Sequence, residues 1–361
     1  MSIGQNNNAF GKRFFKNKGA LLALILIGIA LFLAIFGYLL APDNSKNANR
    51  IIPEIGSKKP GFSIQLLMLH KEQNAASENR IVQMFVGKED LFTYIPITNY
   101  QLMGRDSLVY DKYVDEGITE KKSLKISSGN VYKVSRQTFY LGTDKFGRDI
   151  LSRLIIGVRV SLGVGLIAVL ISVTIGVLLG SLAGYFRGWI DDVIMWFINV
   201  IWSIPTLLLV FAITLVLGKG FWQVFIAVGL TMWVNVARLV RGQVLAVREL
   251  EYIEATKALG YSHSRTIVKH ILPNILGPVM VIAASNFASA IVIEAGLSFL
   301  GVGVQPPQPS WGLMIKENYN FIITNNPMLA LVPGIAIMLL VLAFNLLGNG
   351  LRDALNVRSR V

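Results

Sequence analysis

The sequence predicts an all-α integral membrane protein with six transmembrane helices and a small, partly β extracytoplasmic insertion after the first. Three observations carry this expectation. Apolar runs of about 20 residues, the length one helix needs to cross the hydrocarbon, recur six times along the chain. Only 15% of the 361 residues are charged against 53% hydrophobic, too little charge for a soluble chain of this length. The basic residues also gather beside alternate ends of the apolar runs, as the positive-inside rule requires of a multi-span protein.

The first run, Gly19–Ala41, is entered from Lys12, Arg13, Lys16 and Lys18. A basic start and an apolar run also describe a signal peptide, but this run is about twice the length of a secretory core segment and lacks a clear cleavage site. It reads as an uncleaved first span. Residues 42–140 then change in character, with Asn, Lys, Ser and Glu dominating. The short stretches Arg80–Val86 and Phe92–Ile97 are rich in β-prone residues, and Gly104-Arg105-Asp106 and Ser128-Gly129-Asn130 read as turns. Spans resume at Ser161–Phe186, Val193–Leu217, Trp222–Val240, Ile275–Leu300 and Met328–Gly348. The organisation is thus 1–41, 42–140 and a core at 141–361.

Charge orients this topology. Arg187, the link 241–274 (Arg241, Arg248, Lys257, Arg265 and Lys269) and the tail (Arg352, Arg358 and Arg360) fall with the N-terminus on one side. The links 218–221 and 301–327 hold only Lys219 and Lys316. Both termini are therefore expected in the cytoplasm of a multi-pass inner (plasma) membrane protein. Arg148, Arg153 and Arg159 fall on the opposite side, where their spacing predicts an amphipathic helix in the interface with side chains snorkelling to headgroups. A net charge of +13 raises nucleic acid as a partner, but basic residues set beside apolar runs point to membrane lipid and not to nucleic acid. Cysteine is absent and the three His are scattered, so no metal site, disulfide or thiol chemistry is expected, and no cofactor.

Within the spans, Gly176, Gly180 and Gly184 place small residues on one helix face, a seam either for another chain or for a neighbouring span. Asn199, Ser203 and Pro205 predict a kink near Ile201. Asn235, Asn286 and Glu294 sit in or near spans. A carboxylate at mid-membrane costs about 2.5–3.5 kcal/mol on insertion scales, so Glu294 should face protein, water or a partner. Lining a solute path and a hydrogen-bonded structural role both satisfy that. No Gly-x-x-x-x-Gly-Lys-Ser/Thr phosphate loop occurs, and no catalytic arrangement is visible, so the chain is not expected to be an enzyme.

The link 241–274 is the most informative segment. Helix formers run to Leu259, Gly260 suits a left-handed helix end, Ser262 or Ser264 can cap a second helix, and Pro273 limits that helix before the membrane is re-entered. Ala255, Ala258 and Leu259 give the first helix a small apolar face that fits a groove on another protein; an amphipathic connector resting on the bilayer is the alternative.

Glu254-Ala255-Thr256, three residues, Gly260, nine residues and His270-Ile271-Leu272-Pro273 resemble the EAA loop of ATP-binding-cassette (ABC) importer permeases. Thr256 stands where that pattern has a second Ala, and His270 where Ile is usual. Gly142-Thr143-Asp144 through Arg153, and Glu294 through Gly312, resemble further segments of the dipeptide/oligopeptide/nickel branch, C-type subunit. The resemblance covers about 142–361 and the first span, and leaves 42–140 unexplained. It implies a type I importer permease fold and a complex with a second, B-type permease, two ATPase subunits and an extracytoplasmic solute-binding protein. It further implies coupling to the ATPases through Glu254, Ala255, Ala258, Leu259, Gly260, Leu272 and Pro273, and a path for peptide, nickel or another small solute between the two permeases. A secondary transporter would show two related halves and paired ionisable groups at mid-membrane. An ABC exporter or signalling permease would lack the Glu254–Pro273 pattern.

Overall fold

The computed structural model describes residues 11–71, 79–103, 107–125, 132–218, 220–323 and 326–355. Helix α1 (Lys18–Leu40) leads to strand β1 (Phe62–His70), helix α2 (Arg80–Val86) and strands β2 (Phe92–Met103), β3 (Ser107–Asp115), β4 (Ile118–Lys125) and β5 (Tyr132–Phe139). Helices α3 (Ile150–Phe186), α4 (Gly188–Trp202), α5 (Thr206–Leu217), α6 (Phe221–Arg248) and α7 (Glu251–Ala258) follow. The chain continues through α8 (His263–Thr266), α9 (Leu272–Leu300), α10 (Trp311–Asn318) and α11 (Met328–Leu355). Contacts divide it into two units, one of residues 1–30, 161–305 and 336–361, the other of 31–160 and 306–335.

The fold is mostly helical. Among the described residues, five helical stretches are long and apolar enough to cross a membrane; α4 and α5 supply a sixth if the pair acts as one span. That pair corrects the expected third span. In place of one helix kinked near Ile201, α4 ends at Trp202 and α5 starts at Thr206 after a 92° turn. Pro205 has no N–H to donate and disfavours helix at Ile204 before it, so the ladder stops instead of bending.

The first unit packs on small residues. A Cβ at Gly176 would lie 2.5 Å from Val236 Cβ, and one at Gly180 would lie 2.5 Å from the Ala237 carbonyl. One at Gly184 would lie 2.8 Å from the Arg241 carbonyl. The glycine seam of α3 therefore receives α6 of the same chain.

The second unit holds the sheet, antiparallel throughout in the order β4-β3-β2-β1-β5. Its faces bury different clusters: Ile64, Leu66, Tyr113 and Phe139 with Ile52 and Ile55, and Leu67, Ile97, Leu108 and Tyr110. Arg80–Val86, read as β-prone, is helical, whereas Phe92–Ile97 opens β2. The two expected turns, Gly104-Arg105-Asp106 and Ser128-Gly129-Asn130, lie outside the described residues, as do Lys219, Arg358 and Arg360.

The arginines near the start of α3 also depart from expectation. No separate interfacial helix forms: Arg153 and Arg159 lie on the first turns of a continuous helix of 37 residues. Arg148 and Arg153 are buried rather than snorkelling. Arg148 donates to Asp144 Oδ2 and Glu317 Oε2, each at 2.6 Å, and the Arg153 guanidinium lies 3.7 Å from Glu317. The motif around Gly142 is thus a buried turn, in which Asp144 Oδ1 also accepts from the Phe146 and Arg148 amides. Beside it, burial raises the Asp149 carboxyl above the usual range, although Ser152 donates to it.

Candidate functional site, a two-faced helix and a polar cavity

Helix α7 is short because both its ends are fixed chemically. Tyr261 N–H bonds the Thr256 carbonyl across Gly260, whose φ is +73°; this is the capping arrangement that a left-handed glycine permits. Ser262 Oγ then accepts from Arg265 N–H at 3.4 Å and opens the return helix. Pro273 does not stop that helix, contrary to expectation. A π turn over Ile267–Ile271 carries α8 into α9, and Asn274 Nδ2 donates to the His270 carbonyl at 2.6 Å. The wider turn accommodates the proline ring and its missing donor.

The two faces of α7 differ. Ile253 is fully buried in a cluster with Tyr185, Val236, Val240, Val244, Ile271, Ile275 and Val279. Buried Thr256 donates to the Ile253 carbonyl at 2.7 Å and meets Thr266 Oγ1 at 3.3 Å. Glu254, Ala255, Ala258, Leu259 and Gly260 are exposed, Leu259 to 70%. Leu272 is partly buried against the cluster holding Ile253, and Pro273 is exposed. The departures from the family pattern have local partners: Thr256 has its hydroxyl bonds, and His270 stacks on Tyr261 with ring centroids 5.6 Å apart.

The link is also tied to helix ends, through arginines read from the sequence only as orienting charge and through partners the sequence did not single out. Tyr185 Oη lies 2.9 Å from His263 Nδ1. Arg248 donates to the Tyr185 carbonyl, and Arg187 pairs with Glu249. Arg241 holds Asp191 through Nε at 2.5 Å and Nη2 at 2.6 Å, locking α4 to α6. The available signal was Asp191-Asp192 at the edge of an apolar run.

The three intramembrane candidates separate. Asn235 and Asn286 line one cavity of about 210 Å³, with Thr206, Thr231 and Ser289 and an apolar wall of Ile201, Trp202, Met232 and Ile293. Ile201, Trp202, Ile204 and Thr206 of its wall flank the break between α4 and α5. Asn286 Nδ2 also reaches Ser172 Oγ at 3.5 Å. Glu294 is fully buried, does not line this cavity, and accepts from Ser298 Oγ at 2.6 Å. Ser298 Oγ in turn accepts from Val304 N–H at 3.0 Å. Arg238 lies 3.7 Å over the ring of Trp202, a cavity-wall residue, and donates to Asn199 Oδ1 at 2.9 Å.

These features define a multi-span helical membrane protein with a short two-faced helix between two spans and a polar cavity inside the bundle. The chain belongs to the binding-protein-dependent transport system inner membrane component family, whose model matches residues 176–361. The N-terminal TM domain of oligopeptide transport permease C matches residues 9–57. A dipeptide transport system permease protein of Alkalihalophilus pseudofirmus is 43% identical over 221 residues, 61% of this chain and 72% of its own. A glutathione transport system permease protein of Pectobacterium atrosepticum is 42% identical over 217 residues, 60% of this chain and 72% of its own. Among solved structures, an inward-facing MetNI methionine ABC transporter matches at a TM-score of 0.47 and 19% identity, over 56% of this chain and 95% of that one. The chain is accordingly an ABC importer permease of the C type, and its relatives are permease subunits, not enzymes.

Proposed function

We propose that the chain forms half of a peptide translocation path and takes its power stroke through α7. The observation that carries this is the two-faced helix, with Ile253 and Thr256 fixed in the core while Glu254, Ala255, Ala258 and Leu259 face outward. A small apolar surface on a helix held at both ends suits a groove on a second protein, and Ile253 gives push and pull on that helix a route into α6 and α9. On this reading Leu272 and Pro273 seat the return helix, and the groove belongs to one of two ATPase subunits, which hydrolyse ATP. A second, B-type permease completes the path, and a solute-binding protein delivers the cargo. Both termini lie in the cytoplasm and the sheet lies outside. Asn235 and Asn286 line the path, offering amide donors and acceptors to peptide backbone; Glu294 braces the end of α9. The names of the dipeptide and glutathione relatives support a small peptide as cargo.

The test uses the complete complex in lipid. A Cβ at Gly260 meets nothing within 4 Å, so Gly260→Val acts only on the backbone, where positive φ costs a side chain roughly 1–2 kcal/mol. Gly260→Val and Glu254→Lys should insert normally, keep the partner permease, and lose ATPase association or substrate-stimulated hydrolysis. Normal transport by both variants, with ATPases bound, refutes the coupling role.

A further inference from the structure

We infer that helix α2 is a membrane-surface wedge: its apolar face enters the acyl region of the leaflet in which α1 ends, with Lys46 and Lys88 on the headgroup phosphates. This rests on the reading of α1 as a span. Arg159 fixes the level. Its guanidinium donates to the Ala34 carbonyl at 2.5 Å and the Ile35 carbonyl at 3.1 Å on α1, and to the Phe85 and Met84 carbonyls at 2.5 and 3.2 Å on α2. It also lies 4.7 Å over the Tyr38 ring. The end of α2 is therefore level with residues five and six places short of the end of α1, about 8–9 Å along the helix axis.

Two more contacts pin it there. A Cβ at Gly87, whose φ is +88°, would lie 2.7 Å from the Tyr38 ring. Lys46 N–H bonds the Lys88 carbonyl at 3.1 Å, and Lys88 N–H bonds the Asn44 carbonyl at 2.9 Å. At this level α2 exposes Val82 (44%), Phe85 (54%) and Val86 (38%), as α1 exposes Phe32, Ile35 and Leu39. Water at that depth would face an apolar helix on one side and an apolar span on the other, whereas lipid satisfies both. The exposed Lys46 and Lys88 sit just beyond, where long basic side chains meet phosphate.

The chain has no cysteine, so Phe85→Cys and, separately, Val82→Cys each carry a single nitroxide label. The full complex goes into vesicles of phosphatidylethanolamine and phosphatidylglycerol, and collision with oxygen is compared with collision with a neutral nickel chelate. Leu39→Cys on α1 supplies the lipid reference and Lys121→Cys on β4 the water reference. We expect oxygen to dominate at 82 and 85, giving collision ratios close to that at 39 and well above that at 121. Nickel dominance at 82 and 85 overturns the inference, and so does protection from both probes, which would place a protein partner on this face. Nickel dominance at 39 as well overturns the span reading, whereas lipid contact at 39 with water at 85 overturns the wedge alone.

Discussion

Ile253 is the one large apolar side chain that α7 buries, and its neighbours are the ends of α6 and α9. Replacing it with Ala leaves a cavity, and large-to-small changes of this kind cost about 2–5 kcal/mol. Ile253→Ala should lower the melting temperature of the purified complex and reduce ATPase retention, without loss of membrane insertion. Thr256→Val keeps shape and removes the hydroxyl that bonds Ile253 and Thr266. A loss of about 1 kcal/mol, read from the same melting curve, is the expected outcome. The outward face of α7 was legible because Ala255, Ala258 and Leu259 repeat at helical spacing. The inward anchor was not, because one isoleucine in eight residues makes no pattern until α6 and α9 supply its pocket. Asn235 and Asn286 could be picked out singly as polar groups in apolar runs, but nothing in their spacing, 51 residues apart, says that they share a cavity.

Elements meet through two devices, a glycine seam and ion pairs at helix ends. Gly180→Leu sets a side chain where even a Cβ lies 2.5 Å from a backbone carbonyl of α6, so the helices must part. Overpacking typically costs about 1–3 kcal/mol; we expect lower thermal stability and a smaller yield of assembled complex. Arg241→Ala strands Asp191, whose side chain is only 12% exposed. A charge-assisted pair of this kind contributes about 1.5–3 kcal/mol. The loss should appear in a double-mutant cycle, in which Asp191→Ala added to Arg241→Ala costs less than the sum of the single changes. The proline that ends α4 was visible in the sequence but its 92° consequence was not, since whether a proline bends or breaks a helix depends on what packs beside it. The arginines of the 148–159 stretch were equally visible. Their fate was not, because Glu317 lies 169 residues from Arg148 and local spacing carries no information about so distant a partner.

At the scale of the whole chain, the strands of the sheet, 62–139, fall within the stretch 42–140 that its composition sets apart, and their β content was read only in part. The sheet is closed at its neck: Gly61 N–H bonds the Phe139 carbonyl at 2.9 Å, and Thr143 N–H bonds the Lys58 carbonyl at 3.1 Å. Chain entering and leaving the sheet is therefore adjacent. Replacing residues 61–139 with a short Gly/Ser linker should still give a membrane-inserted chain that assembles with its ATPases, checked by co-purification. Loss of insertion would show that the sheet is needed for folding of the spans.

The break between α4 and α5 has a mechanical consequence. The 12 residues of α5 reach about 18 Å across a hydrocarbon layer of about 30 Å, so neither rod stands through the bilayer alone. Bending an intact helix means tearing several rungs of its ladder; here the ladder of α4 already ends at the Ser203 amide, which bonds the Asn199 carbonyl, and Pro205 has no N–H with which to continue it. The joint can flex at little enthalpic cost, and because Ile201, Trp202, Ile204 and Thr206 belong both to the joint and to the cavity wall, each degree of swing changes the volume of the cavity.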